Sequence, residues 1–213
     1  RGLQDLYSKG KIVSNLQFYI DKFKLSNPNS VATIEGDYLS ASQPFKEEDY
    51  LRSTIELKDF ILNYPNTTYS ERATYTVALS YLYLGSIEKA ITYFELAKGS
   101  SLTKATRQLG DCYYKTKNYQ KAIEKYSFLL EISHGKGYVN RANMGMIKCY
   151  YELDDFEAVF NYAQILEKTG QSRDKKLASL YTAKCFYKQK KYTEALNTLL
   201  KITSGSEDEY SAE

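Results

Sequence analysis

The sequence has no tryptophan, a single histidine, three prolines and three cysteines among its 213 residues. A nucleophile needs a base beside it, and His134 has no carboxylate or thiol at ligand spacing. It reads as a residue that caps or follows a helix end. Three widely spaced cysteines form neither an even disulfide framework nor a paired zinc pattern, so they read as small packing residues. Three prolines and 11 glycines are sparse punctuation for a turn-rich β fold and favour long helices. No apolar run approaches the ~20 residues that cross a bilayer. An excess of one charge is also missing: 29 basic against 26 acidic residues leave +3, whereas a dedicated polyanion binder is strongly basic. Nucleic acid is therefore not an expected partner. Gly135-Lys136-Gly137 lacks the spacing and preceding strand of a phosphate loop. Neither a cofactor, a metal nor catalysis is expected.

What the chain has is tyrosine, 22 residues of it, a side chain with an apolar ring and a polar tip suited to surfaces buried at one end. It also has an internal repeat. Four segments align on Ile87, Tyr119, Phe156 and Tyr192, at spacings of 32, 37 and 36 residues. The clearest copy runs Thr106, Leu109, Gly110, Tyr113, Ala122, Tyr126. Tyr81, Gly85, Ala90 and Phe94 mark the copy before it; Tyr150, Val159 and Leu166 the copy after; Phe186, Ala195 and Leu199 the last. Upstream, Tyr50, Ser53, Leu57, Phe60 and Pro65 suit a second helix and its closing proline, and a weaker unit lies around Gly10, Asn15, Tyr19 and Pro28. Two helices of 12 to 15 residues and a turn consume about 34 residues, and each pair has an apolar face that only stacking can bury. Small residues such as Ala90 and Ala122 stand where the paired helices must approach closely.

The expected helices are 3–8, 11–25, 31–42, 46–63, 70–84, 87–98, 102–116, 119–133, 138–153, 156–169, 174–189 and 192–203. Turns fall at Gly85-Ser86, Gly99-Ser100, Gly135 and Gly170, where glycine can end a helix with positive φ. Pro44 should leave the helix over 31–42 short, bent or displaced. Glu47-Glu48-Asp49 and Asp154-Asp155 belong to helix starts, where carboxylates favour the dipole.

With the pattern L-G-x2-Y, A-x3-F in view, the chain resembles tetratricopeptide-repeat proteins over nearly all its length. The expected fold is all-α, a right-handed superhelix of about six helix pairs. It forms one solenoid over 1–213, with weaker repeats over 1–65, clear ones over 70–203, and a tail or the start of a further helix over 204–213. Phe60-Ile61-Leu62-Asn63-Tyr64-Pro65-Asn66-Thr67-Thr68-Tyr69 is similar to a junction in Gram-negative envelope repeat proteins, including outer-membrane assembly lipoproteins and the Tol-Pal coordinator family; Asn27-Pro28-Asn29-Ser30 is a shorter echo. That resemblance implies a periplasmic or cell-envelope location, with the cytoplasm as the alternative. The same junction has a structural reading, since Pro stops a helix and Asn-Thr-Thr can cap the next. The start at Arg1 and the tail suggest a piece of a longer array, whose exposed ends could self-associate.

The resemblance implies a non-catalytic scaffold that takes an extended or helical segment of a protein partner in its concave groove, which the first helix of each pair lines. The candidates for this groove are Arg72, Tyr83, Lys104, Arg107, Tyr114, Arg141, Lys148, Tyr151, Lys184 and Tyr187. Leu82, Tyr114, Tyr151 and Tyr187 share one register position as a tyrosine ladder. The strip also includes Lys115, Lys188, Asp111 and Glu152, eight cations against two anions, which suits an acidic, partly apolar peptide. An RNA-binding helical repeat, or a non-catalytic subunit of an envelope assembly, is the alternative. Family members that grip a terminal carboxylate place Asn where Asp111 stands here, so that function is not carried over. Cys112, Cys149 and Cys185 share another register position; equivalent sites on adjacent helices lie about 8–10 Å apart, beyond disulfide reach.

Overall fold

The computed structural model describes the backbone of residues 14–210 and the side chains of 18–202. The helix expected over 3–8 and the Gly10 position lie outside the described residues. Among those described, every regular element is helical. Between Leu84 and Gly85 the chain divides into two compact units.

The first unit contains α1 (Ser14–Ser26), α2 (Val31–Ala41), the single-turn α3 (Gln43–Lys46), α4 (Tyr50–Asn63) and α5 (Thr68–Tyr83). Pro44 stands in the first turn of α3, where its missing N–H costs nothing, and α2 stops at Ala41 before it. Here 46–63 is not one helix as expected. Glu48 takes a φ of 61°, and Asp49 then caps α4 by accepting from the Arg52 N–H. At the Tyr64–Tyr69 junction the Thr67 hydroxyl accepts from Ser70 N–H, while the Thr67 N–H donates to the Ser70 hydroxyl. Reciprocal capping of this kind satisfies two orphan donors at once. Inside the unit, Ser53 and Ser80 share a buried hydrogen bond of 3.0 Å between α4 and α5, and Phe60 packs against Tyr38 and Tyr64. Asp37 ties α1 to the end of α4 by accepting from Lys24 Nζ and Tyr64 OH, each at 2.5 Å.

The second unit begins with α6 (Ile87–Glu95) and a 3-10 turn (Gly99–Ser101). Three helix pairs follow: α7 (Leu102–Lys115) with α8 (Tyr119–Ile132), α9 (Lys136–Glu152) with α10 (Phe156–Thr169), and α11 (Ser172–Lys188) with α12 (Tyr192–Tyr210). The last helix runs unbroken to Tyr210, across the described part of the segment set apart as a tail by sequence. Each second helix packs between its own first helix and the next: α8 between α7 and α9, α10 between α9 and α11. The first helices also touch one another, α7 to α9 and α9 to α11. That places them on the inner wall of the unit.

The turns inside the repeats correct one expectation. Gly85 and Gly99 do take positive φ, but Gly135 and Gly170 sit at −67° and −72° in extended backbone and start or end helices without it. The left-handed position recurs instead two residues before each anchor, at Gly85, Lys117, Asp154 and Lys190, with φ between 58° and 74°. Only the first of these is glycine, so three copies hold a strained conformation that glycine would adopt freely.

Core residues fall on the repeat register. Ala90 and Ala122 are fully buried, as are Leu129, Val159 and Leu166. Cys112, Cys149 and Cys185 are free thiols at no more than 1% exposure. Burial pushes them up to about 11, 12 and 11 respectively from the usual value near 9.0.

Candidate functional site

The first helices of the second unit carry eight of the ten expected groove residues, and the contacts of five of them form two groups. The first centres on Asp111 of α7. Arg107, one turn earlier, reaches its Oδ2 at 3.1 Å, and Arg141 of α9 reaches the same oxygen at 3.2 Å. Tyr126 of α8 donates to Oδ1 at 2.7 Å. The Tyr126 ring is 2% exposed and passes between two helical glycines. A Cβ on Gly110 would stand 2.5 Å from it, and one on Gly145 would stand 2.3 Å away. Burial, then the Asp111 charge, drives its hydroxyl far above the ordinary tyrosine range. A core aromatic thus extends through the wall to hold a carboxylate that organises two arginines. Lys104 is exposed on the same helix, and Lys148 is half-buried on α9.

The second group is aromatic and cationic. Tyr151 of α9 meets Tyr181 of α11 edge to face at 5.3 Å. Lys184 Nζ stands over both rings, at 4.8 Å from Tyr181 and 5.9 Å from Tyr151, and Lys188 Nζ stands 4.2 Å above Tyr151. Ammonium groups are attracted to the negative face of such rings. Lys188 also pairs with Asp154 at 2.7 Å, which raises its pKa. Tyr114 of α7 and Tyr181 of α11 lie close enough to influence one another electrostatically, so the wall runs across three successive first helices. Burial, first, pushes Tyr114 up to about 12.

Tyr187 departs from this group. It is 66% exposed and packs against Tyr192 at 5.5 Å, the same pairing that Tyr114 makes with Tyr119 at 5.7 Å. Arg72 and Tyr83 belong to the first unit, where Arg72 lies 5.8 Å over the Tyr69 ring and Tyr83 stacks on Tyr50 at 4.7 Å.

Two wall residues escaped the sequence reading. Tyr181 lies eleven residues before its anchor, a position held by Thr76, Gln108 and Gly145 in other copies; its spacing of three from Lys184 was the available signal. Tyr126 was recognised as a core aromatic, but its hydroxyl chemistry was not.

Residues 75–133 and residues 177–204 each match the family described as Tetratricopeptide repeat. These two segments are tetratricopeptide repeats. Among solved structures, BtubC (BKLC) from P. vanneervenii is similar at 13% identity, with a TM-score of 0.67 over 92% of this chain and 88% of that one. The nearly identical TPR-like repeats of a Podosopora anserina kinesin-light-chain-type protein are similar at 12% identity, with a TM-score of 0.59 over 84% of this chain and 98% of that one. At these identities the likeness is one of fold. No curated protein matches the sequence. Tetratricopeptide repeats generally serve as non-catalytic scaffolds for protein interaction, their stacked helix pairs presenting an extended surface. No helix among the described residues is long and apolar enough to cross a membrane.

Proposed function

We propose that the chain is an interaction scaffold whose second unit takes an acidic, extended or helical segment of a partner protein along the wall formed by α7, α9 and α11. The observation that carries this reading is the Tyr151, Tyr181, Lys184 and Lys188 cluster. Its two lysines are exposed and lie against half-buried tyrosine rings. Rigid aromatic area beside cations favours a partner with both apolar and carboxylate groups. Arg107 and Arg141 contribute less charge than their number suggests, because Asp111 already accepts from both, and Lys188 likewise is already paired with Asp154. The envelope location implied by the Phe60–Tyr69 phrase forms part of the same proposal.

The test is selection of a random peptide library on the purified chain and on a Tyr151→Ala/Lys184→Glu variant of matched helicity. Enrichment of Asp- and Glu-bearing peptides by the parent alone supports the wall. Equal enrichment by both, or no acidic bias, contradicts it. Single-stranded RNA that binds with affinity falling steeply with salt would move the chain to the nucleic-acid class.

A further inference from the structure

A corner where the turn before a second helix meets the end of the next first helix occurs in both units. Where the α9–α10 turn meets α11, the Asp154 N–H donates to the Tyr151 carbonyl at 3.3 Å, which sets a carboxylate beside an aromatic ring. Lys188, four residues before its anchor, joins them. Its Nζ stands 4.2 Å above the Tyr151 ring, 2.7 Å from Asp154 Oδ1 and 3.4 Å from the Tyr151 carbonyl. Ring and carboxylate both attract the ammonium, so this corner is satisfied from within the chain.

Where the α3–α4 turn meets α5, the first unit has the same corner without the cation. Glu48 holds the place of Asp154, two residues before Tyr50 at the start of α4, in the same left-handed backbone: φ is 61° at Glu48 and 58° at Asp154. Its N–H donates to the Phe45 carbonyl at 3.2 Å, so Phe45 stands where Tyr151 does. The residue four before the next anchor is Tyr83 rather than lysine. Its ring stacks on Tyr50 at 4.7 Å, lies 6.1 Å from Phe45 and stays 61% exposed. Burial, then Glu48 and Tyr83, raises the Tyr50 pKa, so the carboxylate and the two tyrosine rings share one surface. The neighbouring charges are engaged elsewhere: Glu47 accepts from Gln43, Asp49 caps α4, and Arg52 pairs with Glu56. Among the described residues no cation lies within ion-pair distance of Glu48. The corner is interior to the chain, with helices before and after it.

We infer that the corner formed by Phe45, Glu48, Tyr50 and Tyr83 binds a basic side chain of a partner protein, which supplies from outside the cation that Lys188 supplies from within at the sister corner. Arginine fits best, since its planar guanidinium stacks on an open aromatic face while its N–H fork reaches a carboxylate. The site lies in the first unit and does not depend on the reading of the α7, α9 and α11 wall.

The probe is N-acetyl-arginine amide, titrated into the isotopically labelled full chain at constant ionic strength while the ring resonances of Phe45, Tyr50 and Tyr83 are followed. Saturable shifts of all three rings are expected. Replacing the probe by its neutral isostere, N-acetyl-citrulline amide, or the protein by Glu48→Gln should each weaken binding by about threefold or more. Glu47→Gln removes the same charge from the adjacent residue and should leave binding unchanged. Tyr83→Lys gives the corner the residue of its sister copy; it should abolish binding at an unchanged melting midpoint, because the new ammonium pairs with Glu48 internally. Rings that do not move, or citrulline binding as tightly as arginine, overturn the proposal. So do equal losses in Glu47→Gln and Glu48→Gln, which mark diffuse attraction to an acidic surface, and binding that persists in Tyr83→Lys. The wall variant Tyr151→Ala/Lys184→Glu should bind the probe as the parent does; loss there would assign the probe to the wall and overturn the corner.

Discussion

The α7/α8 and α11/α12 helix pairs of the second unit share a register yet meet different surroundings. In the α7/α8 pair, Tyr126 and Leu129 are sealed beneath α9, and the tyrosine hydroxyl reaches through to Asp111. In the last pair, Leu199 and Ile202 occupy the same positions beside an open groove. A residue's position in a repeat therefore sets which way it faces, while its worth depends on what the next repeat lays over it. Apolar side chains stabilise in proportion to the surface removed from water, so equivalent leucines should differ sharply in energy.

The largest expected effect tests that difference. Leu129→Ala should cost about 2–5 kcal/mol through lost burial and a residual cavity, whereas Leu199→Ala should cost less than about 1 kcal/mol. Urea denaturation of the two variants measures this, and equal losses would mean that the end groove is already filled in solution. Next comes the glycine pair around Tyr126. Gly145→Ala puts a Cβ against a buried ring that Gly110 confines on its other side and should cost about 1–3 kcal/mol. Gly137→Ala on the same helix meets nothing within 4 Å and should be neutral or stabilising by up to about 1 kcal/mol. Adding Tyr126→Leu should relieve the clash at Gly145, while Tyr126→Phe, which keeps the ring, should not.

The buried thiols give a smaller, pH-dependent effect. Cys112, Cys149 and Cys185 hold their protons to about 11, 12 and 11 in the folded chain, against 9.0 when exposed. Their contribution to stability is thus fully present below pH 9 and is lost as pH rises from there through the folded values. At pH 8 a thiol reagent should leave all three unmodified in the native chain and titrate three in guanidinium. The smallest effect is a gain. Lys117 holds a φ of 60°, and Lys117→Gly should raise stability by up to about 1 kcal/mol, since the relieved strain exceeds the entropy lost on ordering glycine. Thermal melts check it, and a loss would show that the lysine stem contributes packing.

Much of the fold was legible because helix pairing imposes a fixed spacing on small and large residues. Ala90, Ala122, Val159 and Leu166 were found by that spacing, and all are buried. The turns were less legible. Sequence points to glycine for positive φ, but Lys117, Asp154 and Lys190 adopt it because the repeat backbone demands it regardless of residue. The wall was half legible. Its cations could be counted along each first helix, yet the Arg141 to Asp111 pair spans 30 residues, and only stacking brings the two together. Tyr187 keeps the ladder's register but packs against Tyr192, while Tyr181, outside that register, joins Tyr114 and Tyr151.

The most direct test of the wall as the working surface is a residue-assigned tyrosine ring spectrum of the labelled chain, followed during titration with a Glu-rich peptide selected from the library. The rings of Tyr114, Tyr151 and Tyr181 should shift together and saturably, while Tyr50 and Tyr83 of the first unit stay in place. Saturable binding with those three rings unmoved would contradict the account.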